Sequence, residues 1–207
     1  MESTRILRCG PALALVVAGT FAAAILAGAQ TQSAQKIEHF TATAVNVTGA
    51  PDPVKIDLLR WSTDAEREQL VSAFTDKGEK EFTAALSKAP TLGYIWTSES
   101  AGYTVRYACR TSAPDGSQRL VFVTEKPLGS WNPQIWKPTA AAKGNNYEFT
   151  VVELRLNPKG VGEGKSSLFA KVVADKAAKT IALDNYTGSQ IVLKDAKWEN
   201  SGAKTSS

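Results

Sequence analysis

The segment VVELRLNPKGVGEGKSSLF, residues 151–169, decides which of two folds the C-terminal half adopts. Its glycines end in Gly-Lys-Ser (164–166), as a phosphate-binding loop does, and that motif would predict a helix and a nucleotide site. The motif needs a glycine at position 159, but that residue is Lys159, and Gly160 comes one position too late. The following SSLFAKVVAD has the β-branched alternation of a strand. We therefore predict a glycine-rich hairpin connection, Pro158–Lys165, between two strands, and no bound nucleotide.

The stretches on either side of this segment repeat the strand pattern. LGYIWT, GYTVRYACR and QRLVFVTEK precede it, and KTIALDNY and SQIVLKDAKWE follow it. A Pro-Asp-Gly turn at 114–116 predicts a hairpin between the second and third of these stretches. Because the connections are short, neighbouring strands are expected to be antiparallel. The sequence predicts a mainly β fold (β-rich α+β), an antiparallel sandwich or a partly open barrel.

One helical hairpin, at about 63–88, is expected to be inserted after the second strand. Thr63, with Glu66 three residues later, has the pattern of a capping box at the start of a helix. Gly78 interrupts the helical pattern, and Pro90 ends its second part. The sequence therefore predicts two consecutive helices.

The N-terminal residues have the pattern of a secretory signal peptide. Arg5 and Arg8 precede an uncharged apolar run at 11–28, and Ala-Gly-Ala (27–29) has the small-residue form of a cleavage site. An uncleaved signal anchor is the alternative, because the run is longer than a usual signal-peptide core. The predicted organisation is a signal peptide at 1–29, a linker at 30–36, a single β-rich domain at 37–199 and a disordered tail at 200–207. We expect export to the periplasm or the medium, with membrane contact only through an uncleaved signal.

The charge pattern argues against nucleic-acid binding, and the cysteine content argues against an intramolecular disulfide. The chain has 24 basic and 20 acidic residues and a net charge of +4, and its lysines and arginines are scattered among the acids. No block of positive charge is present, so no nucleic-acid partner is predicted. Cys109 is the only cysteine after the predicted signal peptide, so no intramolecular disulfide is expected. Its strand-like surroundings predict a buried thiol.

Few residues have the pattern of a catalytic or metal site. His39 is the single histidine, and the only nucleophile pairing left open for it is with Cys109. One histidine and one such cysteine do not supply the ligands that a zinc site needs. We predict no catalytic residue, no metal and no cofactor. Carboxylate pairs keep open a hydrolase that works in a β cleft, and the candidate acids are Glu99, Glu125, Glu148 and Glu153.

The loop SWNPQIWKP, residues 130–138, carries the candidate ligand-binding residues Trp131, Asn132 and Trp136. Two prolines stiffen it, and tryptophans exposed on a rigid loop stack on sugars or apolar ligands and act as hot spots in protein contacts. The alternative is that both rings cover the end of the β core. Trp61 and Trp96, next to strand ends, are predicted to be core residues on the same grounds.

The order LLRWSTDAEREQL, LGYIWT, GYTVRYA, YEFTVVELRLNPKGVGEGK and IALDNYTGSQIVLKDAK resembles a family of small exported bacterial proteins of the Acidobacteria type. The resemblance covers about residues 60–197. In that family the GxGEGK segment recurs between two strands, which implies a loop here too. The family has no assigned activity, so the resemblance implies export and a single domain but no catalytic residue.

The functional expectation is an exported protein, not an enzyme, that binds an unknown small ligand or another envelope component. The expected contact is the loop from Trp131 to Trp136. The alternative is a secreted hydrolase that uses carboxylates in a β cleft. Neither nucleotides nor nucleic acids are expected as partners.

Overall fold

The structure, a computed structural model, describes residues 36–48, 52–137, 147–175, 178–187 and 191–199. All of them belong to one compact unit that spans 34–207. The predicted signal peptide at 1–29, nearly all of the predicted linker and the predicted tail at 200–207 lie outside the described residues. Within the described ranges, no helix combines the length and the hydropathy needed to cross a membrane.

Ten strands and two α-helices make up the described part of the chain. In chain order they are β1 (Glu38–Val45), β2 (Asp52–Leu58), α1 (Asp64–Lys77), α2 (Glu79–Lys88), β3 (Gly93–Trp96), β4 (Tyr103–Ser112), β5 (Gln118–Thr124), β6 (Val151–Leu156), β7 (Val161–Ser166), β8 (Val172–Asp175), β9 (Thr180–Leu183) and β10 (Val192–Glu199). A short 3-10 turn, Ser167–Phe169, lies between β7 and β8.

Eight of the strands form a closed antiparallel barrel in the order β1-β10-β7-β6-β5-β4-β3-β2. β10 pairs with both β7 and β1, so the barrel sheet has no free edge. β8 and β9 pair with each other in a separate two-stranded sheet. The prediction of a β-rich antiparallel fold with one helical hairpin is confirmed. The sheet is a closed barrel, where the sequence predicted a sandwich or a partly open barrel.

Side chains fill the inside of the barrel. Along β1 and β2 the buried residues alternate with more exposed ones, which is the period-2 pattern of a strand with one face in a core. An eight-stranded barrel is just wide enough inside for side chains to fill it. The largest inner residues are aromatic and branched aliphatic, and they include Phe40, Ile56, Leu58, Leu92, Ile95, Tyr103, Leu120, Phe122, Leu154 and Leu193.

A second hydrophobic core lies outside the barrel, against β4, β5 and β6. It contains Phe82 from α2, Val121 from β5 and Ile181 from β9, all of them buried. We call this outer face of β4, β5 and β6 the covered half. The outer side chains of β10, β1, β2 and β3 are instead partly or fully exposed, and we call that face the bare half.

The helical hairpin follows the predicted pattern. The side chain of Thr63 accepts a hydrogen bond from Glu66 N, and the carboxylate of Glu66 accepts one from Thr63 N at 2.8 Å, so the capping box is present. Gly78 separates the two helices with φ of 82°, a conformation that favours glycine. α2 ends at Lys88, shortly before Pro90. The prediction of a hairpin at about 63–88, after the second strand, is confirmed.

The glycine-rich segment is itself a strand, so the prediction of a long connection at Pro158–Lys165 is wrong. β7 occupies Val161–Ser166, and the turn between β6 and β7 consists only of residues 157–160. A Cβ at Gly162 would lie 1.9 Å from the carbonyl oxygen of Arg155, and one at Gly164 would lie 2.3 Å from a methyl of Leu154. The glycines therefore permit close strand contact, and the expected turn flexibility is needed only at the start of the segment.

Four further sequence predictions have clear outcomes. Asp115 and Gly116 form the predicted turn between β4 and β5, with Gly116 at φ of 81°. Cys109 is buried on β4, as predicted, and Trp61 packs against the inner core. The prediction that Trp96 is a core residue is wrong, because its side chain is 36% exposed on the bare half.

Candidate functional site

A cleft of about 560 Å³ lies where β4 and β5 meet the end of β6. The β4–β5 turn and the β6–β7 turn stand on either side of it, since both turns are at the same end of the barrel. Most of the residues around it are polar, and they include Thr111, Ser117, Gln118, Arg119, Arg155 and Asn157. The cleft therefore combines hydrogen-bonding groups with two guanidinium groups.

A fully buried carboxylate, Glu153, fixes both guanidinium groups. It accepts hydrogen bonds from Arg119 Nε and Nη2 at 2.9 and 3.1 Å and from Arg155 Nε and Nη2 at 3.0 Å each. Its fifth donor is Leu183 N at 3.4 Å, on β9. A buried charge is tolerated only when it is paired and hydrogen-bonded, and this one is both. The covered half thus holds an ion cluster beneath the β8–β9 hairpin.

The two arginines differ in how much of each side chain is exposed to solvent. Arg119 also donates through Nη1 to Asp175 Oδ2 at 2.9 Å, and only 23% of its side chain is exposed. Arg155 has its guanidinium carbon 3.7 Å from the ring centroid of Tyr186, yet 51% of its side chain is exposed. Stacking and the Glu153 hydrogen bonds hold Arg155 from two sides. Arg155 is therefore a fixed donor that still faces solvent.

The pKa shifts at this cluster follow from burial and charge. Burial lowers the pKa of Arg119, but the hydrogen bonds and charges of Glu153 and Asp175 outweigh it and raise the pKa above its usual value. The pKa of Tyr186 is raised mainly by burial and then by the charge of Glu163. The Tyr186 hydroxyl donates to the carbonyl oxygen of Glu163 at 3.2 Å. Tyr186 therefore stays neutral and acts as a stacking platform for Arg155.

Gln118 is the second unusual group in the cleft lining. Its Oε1 is buried and has no hydrogen-bond partner among the described residues. An unpaired buried acceptor costs about 1–3 kcal/mol. A ligand hydroxyl that donated a hydrogen bond to this oxygen would remove that cost.

Next to the cleft, the inside of the same barrel end is closed by an aromatic and ionic plug. The guanidinium carbon of Arg110 lies 4.3 Å from the ring centroid of Trp61 and 4.7 Å from that of Trp198. Arg110 pairs with Glu38, and Glu38 Oε1 also accepts from Trp61 Nε1 at 2.5 Å. The plug closes this end of the barrel, so a ligand in the cleft would sit at the barrel rim and not inside it.

The structure separates the predicted loop residues. Trp136 is buried in the inner core and has a positive backbone φ of 64°. Trp131 is 55% exposed beside a small cavity of about 180 Å³ that includes Tyr103 and Glu125. Asn132 is exposed, and its Oδ1 accepts from Gln134 N at 3.1 Å in a local turn. The two rings do not form one exposed surface, and binding by Trp131 and Asn132 stays a prediction.

The candidate acids have separate partners. Glu125 accepts from Arg106 at 2.6 and 2.9 Å, and Glu99 accepts from the hydroxyl of Tyr103 at 2.8 Å. Glu153 is held by its arginines, and Glu148 is exposed. In the part of the chain that the structure describes, these acids form no hydrogen-bonded pair with one another. The hydrolase alternative gains no support from this arrangement.

The two residues considered for nucleophile chemistry are also apart in their contacts. His39 Nδ1 lies 2.7 Å from Asp57 Oδ1, and Cys109 Sγ accepts from Arg67 Nη1 at 3.2 Å. His39 and Cys109 thus have different partners and lie on β1 and β4, which are not neighbours in the barrel. Among the described residues, no three His, Cys, Asp or Glu side chains are grouped as a metal site would require.

Sequence reasoning missed the cluster of Arg119, Glu153 and Arg155. The pattern that could have found it is the occurrence of charged residues at alternate positions in otherwise apolar strands, as in QRLVF and VVELRL. Alternate residues share one face of a strand, so Glu153 and Arg155 had to face the same side. Their pairing with Arg119 depends on the β5–β6 register, in which Arg119 is opposite Arg155.

Comparison with protein-family models, with curated proteins and with solved structures found no match to this chain. The resemblance to exported proteins of the Acidobacteria type therefore stays a prediction.

Proposed function

We propose that this is an exported, non-enzymatic binding protein that takes a small hydroxy acid into the cleft at the barrel rim. The observation that carries the proposal is Arg155, whose guanidinium group is fixed by Glu153 and Tyr186 but is half exposed in the cleft. A planar guanidinium recognises a carboxylate through paired, charge-assisted hydrogen bonds.

Pre-organisation supports this use of Arg155. Free arginine side chains lose rotamer entropy when they bind, and a side chain that is already held loses less. Glu153 cancels part of the positive charge, and Asp175 does the same for Arg119. Ligand recognition would therefore depend on hydrogen-bond direction more than on net charge. This favours a small acid that fits the cleft over anions that do not fit it.

Gln118 supports the hydroxyl part of the proposal. Its unpaired buried Oε1 is an acceptor in the same cleft lining as Arg155. Gln118 lies on the inner side of the strands and Arg155 on the outer side, so a ligand that used both groups would have to reach over the barrel rim with a carboxylate on Arg155 and a hydroxyl on Gln118. Malate has both groups, and succinate is the same molecule without the hydroxyl.

Export and the lack of enzymatic activity rest on the sequence. The apolar run at 11–28 with its cleavage pattern predicts a signal peptide, and the chain lacks a recognised nucleophile or metal motif. The separate partners of Glu99, Glu125 and Glu153 are consistent with a binding role.

The test is calorimetric titration of the mature chain with malate and with succinate. We expect malate to bind at least about threefold more tightly than succinate, and Arg155→Gln to weaken both by about tenfold, as the loss of a charge-assisted contact predicts. Gln118→Leu should remove the malate preference without changing succinate binding. Lys159→Gln, an exposed lysine on the neighbouring turn, is the matched control and should bind normally. Equal binding of malate by wild type and Arg155→Gln would overturn the proposal.

A further inference from the structure

Two carboxylates, those of Asp52 and Glu99, lie at the end of the barrel opposite the cleft. β4 begins at this end with Tyr103 and reaches the cleft only at its last residues. Asp52 begins β2, and its side chain is on the inner face of that strand, in phase with the inner-core residues. The β2–β3 register, continued three residues beyond Trp96, brings Glu99 level with Asp52.

Each of the two carboxylates has one bound oxygen and one oxygen without a partner. Asp52 Oδ1 accepts a hydrogen bond at 3.2 Å from the backbone N–H of Ser98, the residue next to Glu99. Glu99 Oε1 accepts one from the hydroxyl of Tyr103 at 2.8 Å. Asp52 Oδ2 and Glu99 Oε2 are buried and have no hydrogen-bond partner among the described residues. Neither acid forms an ion pair within the described ranges, so the donors that hold them there are neutral.

Burial makes the missing partner of Asp52 costly. Only 4% of this residue is exposed, so solvent does not compensate its charge. A buried carboxylate is tolerated when it is both hydrogen-bonded and paired with positive charge. Glu153, on the outer face of the barrel, has two guanidinium groups for that purpose. A buried polar atom without a protein partner is commonly satisfied by an ordered water or an ion, and of these only a cation also neutralises the acids.

We propose that Asp52 and Glu99 bind a divalent cation, Ca²⁺, at this end of the barrel. Ca²⁺ is held by oxygen ligands at about 2.3–2.6 Å, and carboxylates are its usual charged ligands. The turn that carries Glu99 also contains neutral oxygens, the hydroxyls of Thr97 and Ser100, which lie 2.9 Å apart. The site shares no residue with the cleft and therefore lies beyond the proposed function.

The ligand chemistry favours Ca²⁺ over other metal ions. No metal was predicted from the sequence, because zinc sites draw mainly on histidine and cysteine, but a hard cation such as Ca²⁺ needs neither. Mg²⁺ demands near-ideal octahedral geometry at about 2.0–2.1 Å, which a site built partly on a connecting turn does not favour. Because two carboxylates are few for a calcium site, we expect weak binding, with a Kd on the order of 10⁻⁴–10⁻³ M.

The test is thermal unfolding of the mature chain after removal of bound metal with EDTA. We expect about 10 mM Ca²⁺ to raise Tm by about 3–8 °C, as a ligand of that affinity does. Mg²⁺ should raise Tm less, and NaCl at the same ionic strength should leave it within about 1 °C. Tb³⁺, which occupies calcium sites, should give luminescence sensitised by Tyr103, and added Ca²⁺ should abolish it.

Variants of the two acids locate the site. Asp52→Asn keeps the shape of the side chain and should lose both the Ca²⁺-dependent rise in Tm and the Tb³⁺ luminescence. Glu99→Gln, on the connecting turn, should weaken Ca²⁺ binding about tenfold or more. Asp76→Asn with Glu81→Gln, which removes two exposed acids from the helical hairpin, is the charge control and should behave as wild type. Arg155→Gln should also bind Ca²⁺ normally, so failure of the cleft and failure of this site can be told apart.

Three results would overturn this proposal. One is a Tm of the wild type that Ca²⁺ does not raise; together with a more stable Asp52→Asn variant, it would assign the two oxygens to ordered water only. Another is an equal loss of the Ca²⁺ effect in the helical-hairpin control, which would mean that only net charge matters. The third is full retention of the Ca²⁺ effect in Glu99→Gln, which decides the matter even if Asp52→Asn fails to fold.

Discussion

The covered and bare halves of the barrel wall are built from the same kind of strand but treat charge in opposite ways. Beneath the β8–β9 hairpin, Glu153 is fully buried and accepts five hydrogen bonds. On the bare half, Asp57 is partly exposed and Lys55 has no ion pair among the described residues. A low-dielectric site tolerates charge only when every group is paired, whereas water compensates a charge on an open face. The covered half therefore holds its buried charges in paired clusters, whereas the charged side chains of the bare half are hydrated.

The largest expected difference in stability between the two halves concerns the hydrophobic core outside the barrel, on the covered half. Phe82 is fully buried between α2 and the barrel, where its ring centroid lies 4.9 Å from that of Phe149. Phe82→Ala should lower the free energy of unfolding by about 4 kcal/mol, because it removes buried area and leaves a cavity. Trp96→Ala on the bare half is the comparison and should cost less than about 1.5 kcal/mol. Chemical denaturation of both variants measures the difference, and equal losses would contradict the division into two halves.

The second-largest loss of stability is expected when the buried carboxylate of Glu153 is replaced. Glu153→Gln keeps the shape but leaves Arg119 and Arg155 without their shared anion, so we expect a loss of about 3 kcal/mol in unfolding free energy. Glu199→Gln, on the bare half, should change stability by less than about 0.5 kcal/mol, since exposed contacts contribute little. Urea denaturation at neutral pH tests the pair. A Glu153→Gln variant as stable as Glu199→Gln would show that the ion cluster is not needed.

A smaller loss of stability is expected from a substitution in β7, the strand that joins the two halves. β7 pairs with β6 of the covered half and with β10 of the bare half, and its Gly162 lies against the backbone of Arg155. Gly162→Ala should destabilise the protein by about 2 kcal/mol, because the strands must move apart to admit a Cβ. Val161→Ala, at an exposed position on the same strand, should be nearly neutral. Thermal unfolding of both variants distinguishes close packing from turn flexibility as the role of the glycines.

The smallest expected effect is the contribution of Glu66, on α1, to the pH dependence of stability. Hydrogen bonds from the Arg60 guanidinium lower the pKa of Glu66 to about 2 from its usual 4.5. Because the folded pKa is depressed, this contribution is complete above about pH 4.5 and is lost as the pH falls towards 2. After discounting for solvent screening, we expect about 1 kcal/mol. Glu66→Gln should flatten the stability profile over pH 2–4.5, and an unchanged slope there would contradict the assignment.

The sequence supports much of the fold because its local patterns agree with the observed packing. Thr63 with Glu66 marks the start of α1, and Asp115 with Gly116 marks the β4–β5 turn. The glycine-rich strand was not predicted, because glycine has low strand propensity and Gly162 is needed for a close contact with the carbonyl oxygen of Arg155 on the neighbouring strand. Barrel closure likewise depends on the β1–β10 pairing between the two ends of the domain.

The candidate site was less predictable than the fold. Trp131 and Trp136 are five residues apart in a stiff loop, yet one ring is exposed and the other fills the core. Trp136 has a positive φ of 64°, a backbone conformation that local sequence does not specify for a non-glycine residue. The cluster at Arg155 depends on strand register, and the approach of Glu99 to Asp52 depends on the β2–β3 pairing. The pattern of a single sequence shows which residues share one face of a strand, but it does not show which residues of the neighbouring strands they meet.

The measurement that tests the proposed function most directly is NMR of the Arg155 guanidinium during titration with malate. The account predicts that the Arg155 Nε–H resonance and the Gln118 side-chain amide shift together and saturate, while resonances of Trp96 on the bare half do not move. It also predicts that succinate shifts Arg155 but not Gln118. Malate shifts centred on residues outside the cleft, or no shift at Arg155 at saturating malate, would contradict the account.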